Sequence, residues 1–360
     1  MKDSDPEKWI YREHTRVKHE ILEKYLRGWV PILGKYHKRI CYFDGFAGRG
    51  EYEGGFPGSP VIAMQVGNDL REYVEEMVCF FIERDRDNFK NLEVVTEKEK
   101  KNCPHCKIHN IHAEFAAVIE GIIENVGAKL APSFFFVDPF GFKGVPFKLI
   151  KEILSISRTE VFITFMYRDI ARFLRSDNVE EIFDELFGTT IWRGILKRNL
   201  AGLEREHVLR DLYITQLREQ AAVRFVFPFR VCMPEKSQTL YYLIHATNNF
   251  KGLFLMKGIM YNQGAEGTFA YLGPGDFIAK HQTILFADDT PSLKKFLVQR
   301  FKGETLSYED IEEKTYLETR FVDKHYREAL KELEKEGKLK INRISSKRSG
   351  LKGSDRITFL

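Results

Sequence analysis

Hydrophobic residues in the first half of the chain alternate between helical spacing and short continuous runs. A spacing of three or four residues predicts a first helix over 11–33, which Pro31 helps to end. Apolar runs predict five strands, at 40–43, 77–82, 107–112, 134–137 and 161–165, with helices at 61–76, 87–97 and 115–126. Continuous apolar strands separated by helices are typical of a parallel sheet covered on both faces. The pattern therefore predicts a doubly wound α/β fold.

The second half predicts a hairpin and then a different kind of domain. Apolar runs at 224–233 and 239–247 flank a short polar segment and predict an antiparallel pair. A helical insertion at about 179–222 precedes them. After residue 288 come charged helices at 293–301, 307–315 and 319–336, then a two-stranded ribbon at 338–341 and 355–360. That order is typical of a winged helix-turn-helix. We predict a Rossmann-like domain over 1–288 and a winged helix over 289–360.

Composition fits a compact protein and excludes several classes. The chain has 360 residues, 43% hydrophobic and 30% charged, which excludes a disordered or low-complexity chain. With 56 Lys and Arg against 52 Asp and Glu, the net charge of +4 does not by itself indicate a nucleic-acid partner. No apolar stretch approaches the ~20 residues of a membrane span. Five cysteines, three of them in apolar runs, indicate reduced thiols, so we expect a cytoplasmic protein.

A glycine-rich loop follows the first predicted strand. Asp44 ends the strand, and the loop continues as Gly45, Phe46, Ala47, Gly48, Arg49 and Gly50. Glycines allow the backbone to turn tightly and to approach a nucleotide-type cofactor closely. The alternative is an ordinary turn between a strand and a helix.

Acidic residues also end the second and fourth strands. Glu83 can accept hydrogen bonds from both ribose hydroxyls of an adenosine, although it also begins a charge run that is typical of a solvated face. Asp138, followed by Pro139 and Phe140, is a candidate acceptor that orients a substrate amine or hydroxyl. Phe140 or Phe142 can offer a flat surface to a base, unless both pack into the core. The carboxyl ends of the strands would then line one crevice.

These motifs resemble those of the class I S-adenosylmethionine-dependent methyltransferases. Segments 42–48 with 57–60, 136–141, and 241–247 with 251–253 resemble more closely the three-Cys-motif partner protein family (TcmP). The resemblance implies a Rossmann-like doubly wound methyltransferase sheet of order 3-2-1-4-5-7-6. It also implies S-adenosylmethionine as cofactor, adenine contacts near Ala113, and a partner protein with a three-cysteine motif that is related to radical S-adenosylmethionine enzymes. The fourth motif departs from that of amino-methyltransferases, because Phe140 replaces a second proline and Gly141 an aromatic residue.

One cluster resembles a metal site. Cys103, His105 and Cys106, with His109 and His112 beyond, include zinc-ligand residue types. No second Cys-x2-Cys pair follows, and the spacing to His109 is too short for a zinc finger. We predict a surface loop without a metal.

Positive charge is concentrated in the predicted wing. From residue 338 onward seven basic residues face one acid, Asp355; they are Lys338, Lys340, Arg343, Lys347, Arg348, Lys352 and Arg356. Basic wings contact phosphates, and Arg320 and Lys324 at the start of the third helix are placed to reach DNA. The alternative is that this domain docks a protein. We interpret the chain as a methyltransferase-like protein that acts on or near nucleic acid with a protein partner; the rival is a non-catalytic DNA- or protein-binding adaptor.

Overall fold

The computed structural model describes residues 9–125, 129–176, 179–198, 200, 202–233, 238–264, 269–271, 290–344 and 350–360. The chain divides into two compact units, Met1–Met256 and Lys257–Leu360. The predicted boundary after residue 288 falls outside the described residues.

The first unit contains seven strands and ten helices among its described residues, the tenth helix continuing past the division. The strands are β1 Arg39–Asp44, β2 Glu76–Glu83, β3 Cys106–His112, β4 Ser133–Val137, β5 Thr159–Phe165, β6 Phe225–Cys232 and β7 Thr239–Thr247. The helices are α1 Glu13–Gly34, α2 Ser59–Asp69, α3 Arg86–Lys100, α4 Phe115–Asn125, α5 Phe147–Ser155, α6 Tyr167–Phe173, α7 Glu180–Phe187, α8 Ile191–Lys197, α9 Gly202–Glu219 and α10 Phe250–Gln263.

The seven strands form one sheet of order β3-β2-β1-β4-β5-β7-β6. The first five are parallel, whereas β7 is antiparallel to both β5 and β6. This is the methyltransferase-like order that the sequence predicts, and it is confirmed.

Aromatic packing across the parallel strands explains why the apolar runs fold as buried strands. Phe43 stacks between Phe80 and Phe135, with ring centroids 4.5 and 4.2 Å away. Every residue of β4, β5 and β7 is buried. Such strands lose the alternation of polar and apolar residues because helices cover both faces of the sheet.

Two helix bounds differ from those predicted. Pro31 lies in the last turn of α1 and does not end it, since the helix continues to Gly34. The second helix ends at Asp69 instead of 76, because the chain turns where the Tyr73 amide donates to the Leu70 carbonyl. The predicted insertion folds as three helices, α7, α8 and α9, with Gly188 in a left-handed conformation after α7.

The second unit contains a winged helix. After β8 Ala270–Tyr271, its elements are α11 Thr290–Phe301, β9 Thr305–Ser307, α12 Tyr308–Thr315, α13 Asp323–Lys335, β10 Leu339–Asn342 and β11 Arg356–Phe359. A capping box begins α12: the Asp310 amide donates to Ser307 Oγ at 3.0 Å, and the Ser307 amide donates to Asp310 Oδ2 at 3.3 Å. The predicted ribbon has a third strand, since β9 pairs with β11. Among the described residues, no helix is long and apolar enough to cross a membrane.

Candidate active site

Four predicted site residues lie at the carboxyl ends of neighbouring parallel strands. Asp44 ends β1 opposite Phe81 of β2, and Glu83 ends β2 opposite His112 of β3. Ala113 follows β3 and Asp138 follows β4. Because open α/β sheets bind ligands beyond this edge, the topology brings these residues together where a cofactor and an acceptor would meet.

The loop after β1 packs tightly against the protein. The Gly45 amide donates to the Phe136 carbonyl and the Ala47 amide to the Ile82 carbonyl, each at 2.9 Å, so the loop is tied to the strands on either side. Gly48 has φ +63°, and a Cβ there would lie 2.5 Å from the Trp9 ring. The loop therefore needs glycine at this position, and Trp9 covers it from the N-terminal segment.

Asp44 is completely buried. The Phe46 amide donates to Asp44 Oδ1 at 3.3 Å, and the Tyr42 hydroxyl donates to Oδ2 at 3.4 Å. Burial raises the pKa of this carboxyl to about 7, although hydrogen bonds from Ser59, Phe46 and Tyr42 oppose the rise. Asp44 thus changes charge near neutral pH.

Glu83 is buried, with 6% of its surface exposed, and both carboxylate oxygens accept backbone hydrogen bonds. The Gly48 amide donates to Oε2 at 2.9 Å and the Asp85 amide to Oε1 at 2.6 Å. A carboxylate accepts hydrogen bonds and donates none, which is the chemistry that ribose hydroxyls require of a partner. The predicted surface charge run therefore begins with a buried acid that is bonded to the glycine loop.

The residues at this edge fit S-adenosylmethionine. The glycines let the loop run close to neighbouring rings, since a Cβ would lie 2.7 Å from Phe115 at Gly45 and 2.5 Å from Trp9 at Gly48. Ala113 is half-buried beside the strand that carries Glu83. Glu83 would accept from the ribose, and Ala113 would lie near the adenine.

Beside Asp138 the edge opens into a cleft of about 250 Å³. It is lined by Ile10, Arg12, His14, Thr15, Lys18, Tyr52, Asp138, Pro139, Phe140, Met166, Arg168, Leu240 and Tyr241. All three residues that we predicted to be catalytic, Asp138, Pro139 and Phe140, therefore lie in one cavity. The Lys18 ammonium forms an ion pair with Asp138 Oδ2, and only 7% of Lys18 is exposed. Asp138 thus already accepts from an N–H donor.

Two phenylalanines that the sequence does not distinguish have different environments. Phe140 is 48% exposed in the cleft, with the Trp9 ring 6.0 Å away. Phe142 is buried between Phe173 and Phe183, at 5.6 and 4.9 Å. Phe140 is therefore the ring available to a planar substrate, and Phe142 belongs to the core.

The winged helix presents a basic helix face. On α13 the exposed positions Lys324, Glu328, Lys331 and Lys335 recur at helical spacing. Three acids near the end of this helix form ion pairs away from that face: Glu332 and Glu336 bind Lys294, and Glu334 binds Arg343.

The other residues that we predicted to contact nucleic acid differ in exposure and in ion pairing. Arg320 and Lys352 are exposed. Arg343 is paired, since its Nη1 and Nη2 atoms donate to the Glu334 carboxylate at 3.0 and 2.6 Å. Lys347 and Arg348 lie outside the described residues. The sequence did not identify Lys331 and Lys335, although their spacing from Lys324 is a readable signal.

The cysteine cluster lies at the other end of β3. Cys103 and Cys106 form a disulfide, and the other three cysteines are free and buried. This differs from the expected reduced thiols, because a turn in which the Cys106 amide donates to the Cys103 carbonyl brings the two side chains together. Ligand atoms of Cys103, His105 and Cys106 lie within 4.8 Å of one another.

Comparison with known proteins gives one family match, over part of the chain, and several distant structural similarities. Residues 275–343 match the GMT-like wHTH domain family. The chain is similar in structure to the N-terminal domain of human METTL16 in complex with SAH, with 13% identity, a TM-score of 0.30, and coverage of 62% of this chain and 68% of that one. It is also similar to Trm1 from Pyrococcus horikoshii with S-adenosyl-L-methionine (10% identity, TM-score 0.32, covering 72% and 61%).

A third similar structure is precorrin-6y C5,15-methyltransferase from Geobacter metallireducens GS-15 (10% identity, TM-score 0.30, covering 62% and 87%). Comparison with curated protein sequences gives no significant match. The strand order and the C-terminal unit define a methyltransferase-like fold with a winged helix.

Proposed function

We propose that this protein binds S-adenosylmethionine at the ends of β1, β2 and β3 and transfers its methyl group to a nitrogen or oxygen acceptor held by Asp138. The observation that carries the proposal is the placement of Glu83 against the Gly48 amide, two strands from an acid that lines an open cleft. When bound, the cofactor supplies an electrophilic methyl group.

The chain's own residues would hold and orient the reactants. Asp138 would accept a hydrogen bond from the acceptor N–H or O–H and take up its proton as the new bond forms. Lys18 fixes the position of that carboxylate through the ion pair. Phe140 would stack on a planar acceptor, since nearly half of it is exposed.

We further propose that the chain belongs to the three-Cys-motif partner family and acts on or near nucleic acid. Two of the segments that resemble the family, 57–60 and 241–247, contribute hydrogen bonds at this edge of the sheet. The Gly58 amide donates to the Gly50 carbonyl at 2.9 Å, and the Tyr241 hydroxyl donates to the His14 carbonyl at 2.9 Å inside the cleft. The basic face of α13 supports a nucleic-acid role. A protein with a three-cysteine motif would be the partner, and co-purification of a tagged pair tests this.

A methyl-transfer assay tests the reaction. We expect methyl label from S-adenosylmethionine to enter RNA or DNA with the wild-type protein, and transfer to fall about a hundredfold or more in Asp138→Ala. Asp211→Ala removes an exposed acid on α9 and is the matched control. Transfer that is unchanged in Asp138→Ala would contradict the assignment.

The adaptor remains the second candidate, and the basic helix face favours it. In that case Lys331→Gln with Lys335→Gln would impair function in the cell, while Asp138→Ala would leave it intact. The enzyme proposal expects Asp138→Ala to abolish function.

A further inference from the structure

Positive charge surrounds the acceptor cleft. Arg12, Lys18 and Arg168 line it, against a single acid, Asp138. Burial and the charges of Lys18, Arg12 and Arg168 lower the pKa of His14 to about 4, so this imidazole is neutral at pH 7. Three cations against one anion leave the cleft with two positive charges in excess, a potential that attracts anions.

Among the described residues, neither Arg12 nor Arg168 forms a close ion pair. Lys18 binds Asp138 and so is committed to the acid at the base of the cleft. Arg168 lies 3.8 Å from its neighbour Asp169 and its side chain is 46% exposed. Arg12 is exposed, and no ion pair involves it among the described residues. Two guanidinium groups that line the cleft are therefore available to a ligand.

The cleft is small. Its volume of about 250 Å³ is below the roughly 300 to 1,000 Å³ of small-molecule pockets. Aromatic side chains Tyr52, Phe140 and Tyr241 share the lining with the two arginines. A substrate with one planar ring and an adjoining negative charge outside it fits this arrangement, and a nucleotide within a single strand has both.

We propose that Arg12 and Arg168 form a phosphate subsite that binds the phosphodiester beside the acceptor base of a single-stranded nucleic acid. Guanidinium groups match phosphate geometry through paired N–H donors. The base enters the cleft against Phe140, and its exocyclic group reaches Asp138. This inference rests on the proposed function, because it identifies the acceptor of that same site.

Anisotropy with fluorescein-labelled pentanucleotides of mixed sequence, one RNA and one DNA, tests the subsite. The full chain carries Lys324→Gln, Lys331→Gln and Lys335→Gln to suppress binding by the winged helix, and S-adenosylhomocysteine is present in excess. Arg12→Gln with Arg168→Gln is compared with Arg71→Gln with Arg198→Gln, which removes two exposed arginines outside the cleft. Calorimetry with S-adenosylhomocysteine alone is run on every variant.

Loss of both cleft arginines is expected to weaken pentanucleotide binding about tenfold or more. It should also reduce the slope of log affinity against log salt by about 0.7, the value for one single-strand phosphate contact. The control pair should change neither quantity. The RNA and DNA probes show which strand is preferred.

Several results would overturn the subsite: no pentanucleotide binding by the parent, equal losses in both pairs, or displacement by inorganic phosphate as effective as by unlabelled pentanucleotide. The last result would indicate a small phosphorylated ligand. Failure of S-adenosylhomocysteine to bind would instead count against the proposed function, so the two failures are distinguishable.

Discussion

The cofactor side and the acceptor side of the sheet edge are built differently. On the cofactor side, Asp44 and Glu83 are buried and accept hydrogen bonds from backbone amides of nearby loops. On the acceptor side, Asp138 lies in an open cleft and is paired with Lys18 of α1. A fixed cofactor needs a rigid, preorganised cradle, whereas a variable acceptor needs access and charge.

The largest expected effect on stability separates the two phenylalanines. Phe142→Ala should lower the free energy of unfolding by about 3–5 kcal/mol, because it removes a ring packed between Phe173 and Phe183. Phe140→Ala should change it by less than about 0.5 kcal/mol, since the ring is half exposed. Urea denaturation measures both. Equal losses would contradict the separation of core from cleft.

The next effect concerns the cofactor side alone. Glu83→Gln should weaken S-adenosylmethionine binding about a hundredfold. Both oxygens of Glu83 accept from backbone amides, and the amide nitrogen that replaces one of them cannot accept from a backbone amide or from the ribose. Glu114→Gln, at an exposed acid next to Ala113, is the matched control and should bind normally. Asp138→Asn should also bind the cofactor normally. If Asp138→Asn lost binding as fully as Glu83→Gln, the two sides would not be separable.

Alanine substitutions at two glycines isolate the contact between Trp9 and the loop, and we expect their unfolding free energies to differ by about 1–3 kcal/mol. Gly48 and Gly55 both have positive φ, +63° and +76°. In Gly48→Ala the new Cβ would lie 2.5 Å from the Trp9 ring, whereas in Gly55→Ala it would have no atom within 4 Å. The difference in stability between the two variants therefore reports the contact with Trp9. Thermal unfolding should show Gly48→Ala to be the less stable, and equal midpoints would mean that Trp9 does not pack on the loop.

The fourth effect, similar in size to that of the glycine pair, is a pH dependence of the unfolding free energy. Burial raises the pKa of Asp44 to about 7, whereas its ordinary value is 3.8. Between these values the folded protein holds a proton that the unfolded chain has released, so stability falls as pH rises, by at most about 1.4 kcal/mol per pH unit. Asp44→Asn removes this contribution. Unfolding free energies at about pH 5 and about pH 7 should differ less in Asp44→Asn than in wild type, and an equal difference would refute the assignment.

The sheet was predictable because its signal is local. Continuous apolar runs such as 134–137 fold as buried parallel strands, and three of the runs are followed by an acid that marks the edge: Asp44, Glu83 and Asp138. The strand order itself came from the family resemblance. The strand β9 was missed because Thr305–Ser307 is three residues long and merges with the cap of α12.

The acceptor cleft was only partly predictable because distant segments form it. Asp138 and Phe140 were found from the end of β4, but Tyr241 reaches the His14 carbonyl across 227 positions of sequence. Arg168 carried a readable signal, since it follows the end of β5 by three residues. Arg12 carried none, because a single arginine before a helix is unremarkable until the fold places it beside the cleft.

Calorimetric titration with S-adenosylmethionine tests the central claim most directly, using wild type, Glu83→Gln and Glu114→Gln. The account predicts micromolar affinity, about −8 kcal/mol, in wild type and Glu114→Gln, and a loss in Glu83→Gln with the fold retained by circular dichroism. Absence of binding by folded wild-type protein, or equal binding by all three proteins, would contradict a cofactor site at the ends of β1, β2 and β3.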